Sequence, residues 1–85
     1  MDIKDYRNQI DNIDTNIGAL LNERLNACRE IGKLKKEKNI PVADESREKE
    51  ILEKISGFGD NEDNKKAICN IYEKIFEEAR GLQKQ

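Results

Sequence analysis

The sequence contains no histidine and no tryptophan, and it has only two tyrosines, two phenylalanines and one proline. Without histidine there is no imidazole to act as a general base, and most zinc and transition-metal sites lose their commonest ligand. Carboxylates can bind Mg²⁺ or Ca²⁺, but no loop with the spacing of a calcium site occurs. We therefore expect a protein that uses no metal and no cofactor.

Long apolar runs are also missing, since no stretch approaches the ~20 residues needed to cross a bilayer. The N-terminal MDIKDYRNQI has neither the basic nor the apolar region of a signal peptide. A net charge of −2 argues against nucleic acid as a partner. We expect a soluble cytoplasmic protein that binds neither nucleic acid nor membrane.

The two cysteines, Cys28 and Cys69, each lie among apolar residues of a helical pattern. A free thiol in such a place behaves as a small hydrophobic group. We predict two buried free cysteines, and neither a disulfide nor a metal site.

Charged residues make up 40% of the 85-residue chain and hydrophobic residues 35%. This balance is typical of helices with charged outer faces, so we predict an all-α fold. The length predicts one domain over residues 1–85, near the lower limit at which a single core is sufficient. Self-association is therefore expected.

Apolar residues at alternating spacings of three and four form one continuous stripe, which we call the seam. Its members are Ile3, Tyr6, Ile10, Ile13, Ile17, Leu20, Arg24, Ala27, Ile31 and Leu34. Pro41 ends the pattern because the residue before a proline is driven out of the α region. The seam predicts a first helix over about residues 4–38.

Two further helices follow. Asp44 is a candidate N-cap for a short helix over about residues 45–56, which ends at the turn-like GFGDNED. A third apolar stripe then predicts a helix over about residues 62–83. This stripe consists of Ala67, Ile68, Ile71, Tyr72, Ile75, Phe76, Ala79 and Leu82.

The length of the first helix predicts the assembly. At 1.5 Å per residue it would be ~50 Å long, whereas a compact chain of this size is only ~30 Å across. One copy of the chain cannot cover its own seam. We expect an intertwined homodimer in which the two long helices pack together.

Arg24 is the one charged member of the seam, where an unpaired guanidinium is costly. Lys35, 11 residues further on, projects from nearly the same face ~16 Å away. Gly32 between them leaves room either for a neighbouring backbone or for a ligand. The alternative for Arg24 is a buried ion pair that fixes the helix register.

Glu48 lies one turn before Ile51 on the inward side of the second helix, while its neighbour Arg47 points toward an edge. A surface or half-buried ion pair would also explain both residues. Gln83 ends the third stripe. Its side-chain amide could donate a hydrogen bond into the space between helices, or the residue could belong to a frayed helix end. Several cations, one neutral donor and few carboxylates suit a small dicarboxylate whose reaction needs charge stabilisation and no nucleophile.

Four segments together carry a resemblance to a known family: RNQIDNID from Arg7, LLNERLNACREIGKLK from Leu20, PVADESREKEIL from Pro41 and EEARGLQ from Glu77. In this order they resemble the all-helical chorismate mutase family along nearly the whole chain. The resemblance implies a three-helix chain that forms an intertwined dimer with two active sites. It also implies the rearrangement of chorismate to prephenate in aromatic amino-acid biosynthesis.

By position, the resemblance implies that Arg24 and Arg7 bind the two carboxylates of the substrate. Lys35 and Gln83 would hydrogen-bond the ether oxygen of the breaking C–O bond, and Glu48 would hold the ring hydroxyl. Catalysis would depend on Lys35, Gln83 and Arg24.

Asp44 and Arg47 match further substrate-binding positions at the start of the second helix. One departure is Ala79, where many members of the family have a serine. The hydroxyl contact that such a serine makes to a substrate carboxylate would therefore be missing in this chain.

Arg7 lies 17 residues before Arg24 and 28 before Lys35, or ~25 and ~42 Å along one straight helix. The three side chains cannot hold one small molecule from the same chain. We therefore expect Arg7 of each site to come from the partner chain.

Two alternatives to the mutase stay open from the sequence. An isochorismate pyruvate-lyase has a similar fold and a similar cationic pocket, but its products are salicylate and pyruvate. A helical dimerisation module would have no ligand, and its Arg24 and Glu48 would pair only with protein groups.

Overall fold

Three helices and no strands make up the fold in the computed structural model, which describes residues 1–85. They are α1 (Ile3–Lys38), α2 (Glu45–Ser56) and α3 (Glu62–Gln83). The predicted all-α fold of three helices is thus confirmed. None of the helices is both long enough and apolar enough to span a membrane.

Side-chain caps fix where each helix begins. Asp2 and Asp5 form a reciprocal capping box at the start of α1. Asp44 accepts a hydrogen bond from the backbone N–H of Arg47, and Asn61 accepts one from Asn64, at the starts of α2 and α3. The cap at Asp44 sets the direction in which the first turn of α2 presents its side chains.

The end of α1 is a left-handed turn at Asn39, whose φ is 56°. Asparagine tolerates this conformation better than most residues. The backbone N–H of Ile40 then donates to the carbonyl of Lys35 at 2.8 Å, and Pro41 prevents the helix from continuing. The chain therefore turns back beside Lys35.

Helix α3 packs against both α1 and α2. Only four residues of the chain are buried: Cys28 and Gly32 of α1, and Phe76 and Ala79 of α3. Cys28 and Cys69 are both free thiols, as predicted, but Cys69 is only half-buried in the single chain. The core of one copy is therefore confined to the contact between α3 and the C-terminal half of α1.

Gly32 allows α1 and α3 to approach closely. A Cβ atom added there would lie 2.7 Å from Cα and 2.9 Å from the carbonyl oxygen of Gln83. Both atoms belong to the backbone, so the clash could be relieved only by moving α3. The room left by Gly32 is thus filled by a neighbouring backbone, which places Gln83 against α1.

The N-terminal half of α1 extends beyond the rest of the molecule. All of the first twenty residues are exposed, and the chain measures 53 × 25 × 15 Å. Its radius of gyration of 15.7 Å exceeds the ~12 Å of a compact chain of this length. A large part of the seam therefore has no cover within one copy.

Substituting Gly32 tests the close approach of α1 and α3. In Gly32→Ala, the overpacking cost of ~1–3 kcal/mol outweighs the gain in helix propensity of at most ~1 kcal/mol. We expect a net loss of about 1–2 kcal/mol in the free energy of unfolding, measured by urea denaturation at fixed protein concentration.

Gly18→Ala is the matched control, because an added Cβ at Gly18 meets nothing within 4 Å on the same helix. This variant should gain up to ~1 kcal/mol. Equal stabilisation of both variants would contradict the account of Gly32.

Candidate active site

A cavity of about 450 Å³ is lined by residues of the C-terminal half of α1, of α2 and of α3. This volume is in the range of small-molecule sites. Half of its 14 lining residues are hydrophobic, and its charged and amide-bearing residues are Arg24, Lys35, Asp44, Arg47, Glu48, Arg80 and Gln83. Six of the seven site residues expected from the sequence therefore surround one cavity.

Arg7 is the exception. It lies in the exposed N-terminal half of α1 and does not line the cavity. Its separation of 17 positions from Arg24 corresponds to ~25 Å along the helix axis. Within one chain, Arg7 is therefore too far from the other six residues to touch the same small molecule.

Lys35 and Gln83 form a pair of hydrogen-bond donors at the cavity. The Lys35 ammonium donates to the carbonyl oxygen of Val42 at 2.8 Å and to Oε1 of Gln83 at 3.1 Å. An ammonium has three N–H donors and an amide has two, so one N–H of Lys35 and the Nε2 group of Gln83 are left. Two donors from different helices can thus converge on one acceptor in the cavity.

Arg24 has no carboxylate partner. Its Nη1 lies 3.6 Å from Sγ of Cys28, and its Cζ is 5.9 Å from the ring centroids of both Tyr72 and Phe76. The aromatic rings attract the cation weakly and leave its charge uncompensated. Within this chain Arg24 forms no register-fixing ion pair, and its guanidinium is available to an anion.

The first turn of α2 brings three polar residues to the cavity. The carboxylate of Asp44 is used as the N-cap, and the exposed guanidinium of Arg47 pairs with Glu50 on the same helix. Glu48 is more buried, with 23% of its side chain exposed. Glu48 is therefore the inward-facing carboxylate of this turn, as its position relative to Ile51 predicts.

Glu48 is held by Arg80 of α3, a residue that sequence reasoning missed. Nη1 of Arg80 lies 2.7 and 2.6 Å from the two carboxylate oxygens of Glu48. These hydrogen bonds raise the pKa of the Arg80 guanidinium further above its usual range, so it stays charged. The available signal was the spacing of three residues from Gln83, which puts both side chains on one face of α3.

The cavity has a positive balance of charge. Four cations face two carboxylates among its lining residues, which leaves a formal charge of +2. No group of three histidine, cysteine or acidic side chains is placed to hold a metal ion. The fold and the site together define an all-α domain with a cationic cavity of the size of a small-molecule site.

Comparison with known proteins identifies the family. Residues 6–84 match the family described as chorismate mutase type II. The chain is 32% identical over 84 residues to the chorismate mutase of Methanocaldococcus jannaschii, covering 98% of this chain and 85% of that protein. The structure of chorismate mutase from Thermus thermophilus superimposes with a TM-score of 0.88 at 28% identity, over 98% of this chain and 94% of that one. The chain belongs to the chorismate mutase type II family.

Some curated relatives are much longer proteins. The bifunctional chorismate mutase/prephenate dehydratase of Aquifex aeolicus is 34% identical over 88 residues, which cover 99% of this chain but 24% of that protein. The chain thus spans about a quarter of the length of this bifunctional relative.

Substituting Arg24 tests whether its guanidinium forms an ion pair that stabilises the fold. In Arg24→Leu, the loss of two weak cation–π contacts, ~0.5–1 kcal/mol each, is offset by extending the apolar seam. We expect the free energy of unfolding to stay within about 1 kcal/mol of the parent value.

Arg29→Leu, at an exposed position of α1, is the control for adding a leucine to this helix. A loss of more than ~3 kcal/mol in Arg24→Leu alone is the signature of a broken buried ion pair, and would contradict the free charge assigned to Arg24.

Proposed function

We propose that this protein is an enzyme that rearranges chorismate to prephenate, as the family suggests. The observation that carries the proposal is the Lys35–Gln83 pair, which leaves two donors at the cavity that Arg24, with no carboxylate partner in the chain, also lines. Chorismate has two carboxylates and one ether bond that must break, so it needs anion binding and a pair of donors. The reaction needs no cofactor.

The first task of the site is to bind and fold the substrate. The free guanidinium of Arg24 suits one substrate carboxylate, because charge-assisted hydrogen bonds are the strong ones. In free chorismate, the flexible enolpyruvyl group must become ordered over the ring before the reaction, which costs entropy. The site orders this group when the substrate binds, so the cost no longer contributes to the activation barrier. Binding geometry thus supplies part of the rate enhancement.

The second task is to stabilise charge in the transition state. As the C–O bond opens before the new C–C bond is complete, negative charge grows on the ether oxygen. The remaining N–H of Lys35 and the Nε2 group of Gln83 would donate to this oxygen more strongly as that charge grows. No covalent intermediate and no general base are involved.

The remaining polar residues would orient the ring. Each oxygen of Glu48 has two lone pairs, so its carboxylate can accept the ring hydroxyl while it stays bound to Arg80. Asp44 and Arg47 line the same cavity at the start of α2. The guanidinium of Arg47 pairs only with the surface residue Glu50, a weak contact that a substrate group could replace.

We propose an intertwined homodimer as the working form, because one copy leaves the seam uncovered. Its six N-terminal members, from Ile3 to Leu20, are between 46% and 70% exposed. A second α1 packed antiparallel would cover this apolar surface and bring the partner's Arg7 toward the cavity. Arg7 would then bind the second carboxylate of chorismate.

We further propose one catalytic domain over residues 1–85 that works in the cytoplasm. The family match over residues 6–84 supports a single unit. The two free thiols, Cys28 and Cys69, suit a reducing compartment.

The reaction is tested by incubating purified protein with chorismate, following the loss of its ultraviolet absorbance and identifying the product. We expect prephenate, whereas salicylate and pyruvate would indicate the lyase. Lys35→Ala should lower kcat by roughly 10²–10³, because one transition-state donor is lost. Lys36→Ala, an exposed neighbour on α1, should keep the parent rate.

The proposal fails if micromolar protein produces no turnover. It also fails in its mechanism if folded Lys35→Ala has the same kcat as Lys36→Ala, because Lys35 would then play no part in the transition state.

A further inference from the structure

Arg80 and Glu48 form the only ion pair that joins two helices of the chain. Every other ion pair links residues three or four apart on one helix. The Arg80 and Glu48 side chains are 34% and 23% exposed, which makes them the least exposed of the paired residues. An ion pair so placed is less screened by solvent than the surface pairs.

A single nitrogen of Arg80 makes the contact. Nη1 reaches both oxygens of Glu48, and the other guanidinium nitrogens make no hydrogen bond within the chain. A contact through one nitrogen requires a positive charge at that point and does not require the planar fork of a guanidinium. It restrains a carboxylate that is otherwise attached through three rotatable bonds.

The pair also determines the charge that a ligand meets. With Arg80 present, the residues of one chain that line the cavity carry a formal charge of +2, which favours the binding of a dianion. Without Arg80 the same residues carry +1, and the charge of Glu48 directly opposes the ligand. Arg80 therefore allows an acidic side chain to line an anion-binding cavity.

We propose that Arg80 is a positioning residue for substrate binding: it holds Glu48 where its carboxylate accepts the substrate hydroxyl, and it compensates the charge of Glu48 toward the dianion. This inference rests on the proposed function. Arg80 acts through Glu48 and is not itself a catalytic residue. Because the hydroxyl contact is made equally in the ground state and the transition state, its loss raises KM and leaves kcat nearly unchanged.

The experiment compares Arg80→Gln, Arg80→Lys, Glu48→Gln and the double variant E48Q/R80Q in the chorismate assay, with folding of each variant checked by circular dichroism. Arg80→Gln and Glu48→Gln should each raise KM roughly tenfold, with kcat within about twofold of the parent. Arg80→Lys should restore KM to within about threefold, since one nitrogen makes both contacts. Lys74→Gln, which removes an exposed cation of α3, should leave both constants unchanged.

The double variant decides whether Arg80 acts through Glu48. E48Q/R80Q should have the KM of Glu48→Gln within about twofold, because residues that act as one unit are not additive. A further increase would overturn the inference by showing that Arg80 acts independently of Glu48. The Arg80→Gln variant leaves the charge of Glu48 unpaired, whereas E48Q/R80Q removes both charges. If Arg80→Gln fails to fold for this reason, the comparison of KM between Glu48→Gln and E48Q/R80Q still decides whether Arg80 acts through Glu48.

The two proposals fail in different ways. A parent protein without turnover would overturn both the function and the role of Arg80. An active parent whose folded Arg80→Gln variant keeps the parent KM, or loses kcat at constant KM, would overturn only the role of Arg80.

Discussion

The site depends on the contact between Gly32 of α1 and the backbone of Gln83 in α3. Because Gly32 has no side chain, α3 can come close enough for Oε1 of Gln83 to accept a hydrogen bond from Lys35. The same approach places Arg80, one turn earlier on α3, beside Glu48 of α2. One missing Cβ atom thus aligns three helices around the cavity.

A second constraint is the mismatch between the length of α1 and the size of the rest of the chain. The C-terminal half of α1 carries Arg24 and Lys35, and it is the half that α3 covers. The N-terminal half carries Arg7 and an uncovered apolar stripe. A dimer would cover this stripe and bring the partner's Arg7 to the site. Stability and activity would then depend on the same interface.

Most of the fold could be predicted from the sequence because its signals are local. The seam and Pro41 determine α1, and Asp44 caps α2 through its own first turn. Arg24 and Lys35 could be placed together because a single helix fixes their separation. For Glu48, the spacing to Ile51 was sufficient to predict its inward face.

The features that could not be predicted from the sequence are contacts between helices. These contacts depend on how closely and at what angle the helices pack. Spacing left open whether Gly32 faces a backbone or a ligand, and only the packing of α3 shows that Gln83 fills the space. Arg80 was missed because its partner Glu48 lies 32 residues away on another helix. No periodic pattern within α3 indicates such a partner.

The proposed sharing of the site between two chains is tested most directly by mixing Arg7→Ala chains with Lys35→Ala chains, each of which is expected to have little activity alone. In a mixed dimer, one site combines Lys35 of the first variant with Arg7 of the second, so random exchange restores about a quarter of all sites. We predict that prephenate formation returns toward this level as subunits exchange, with exchange measured by mass spectrometry. No recovery despite complete exchange would show that Arg7 and Lys35 do not meet across the dimer.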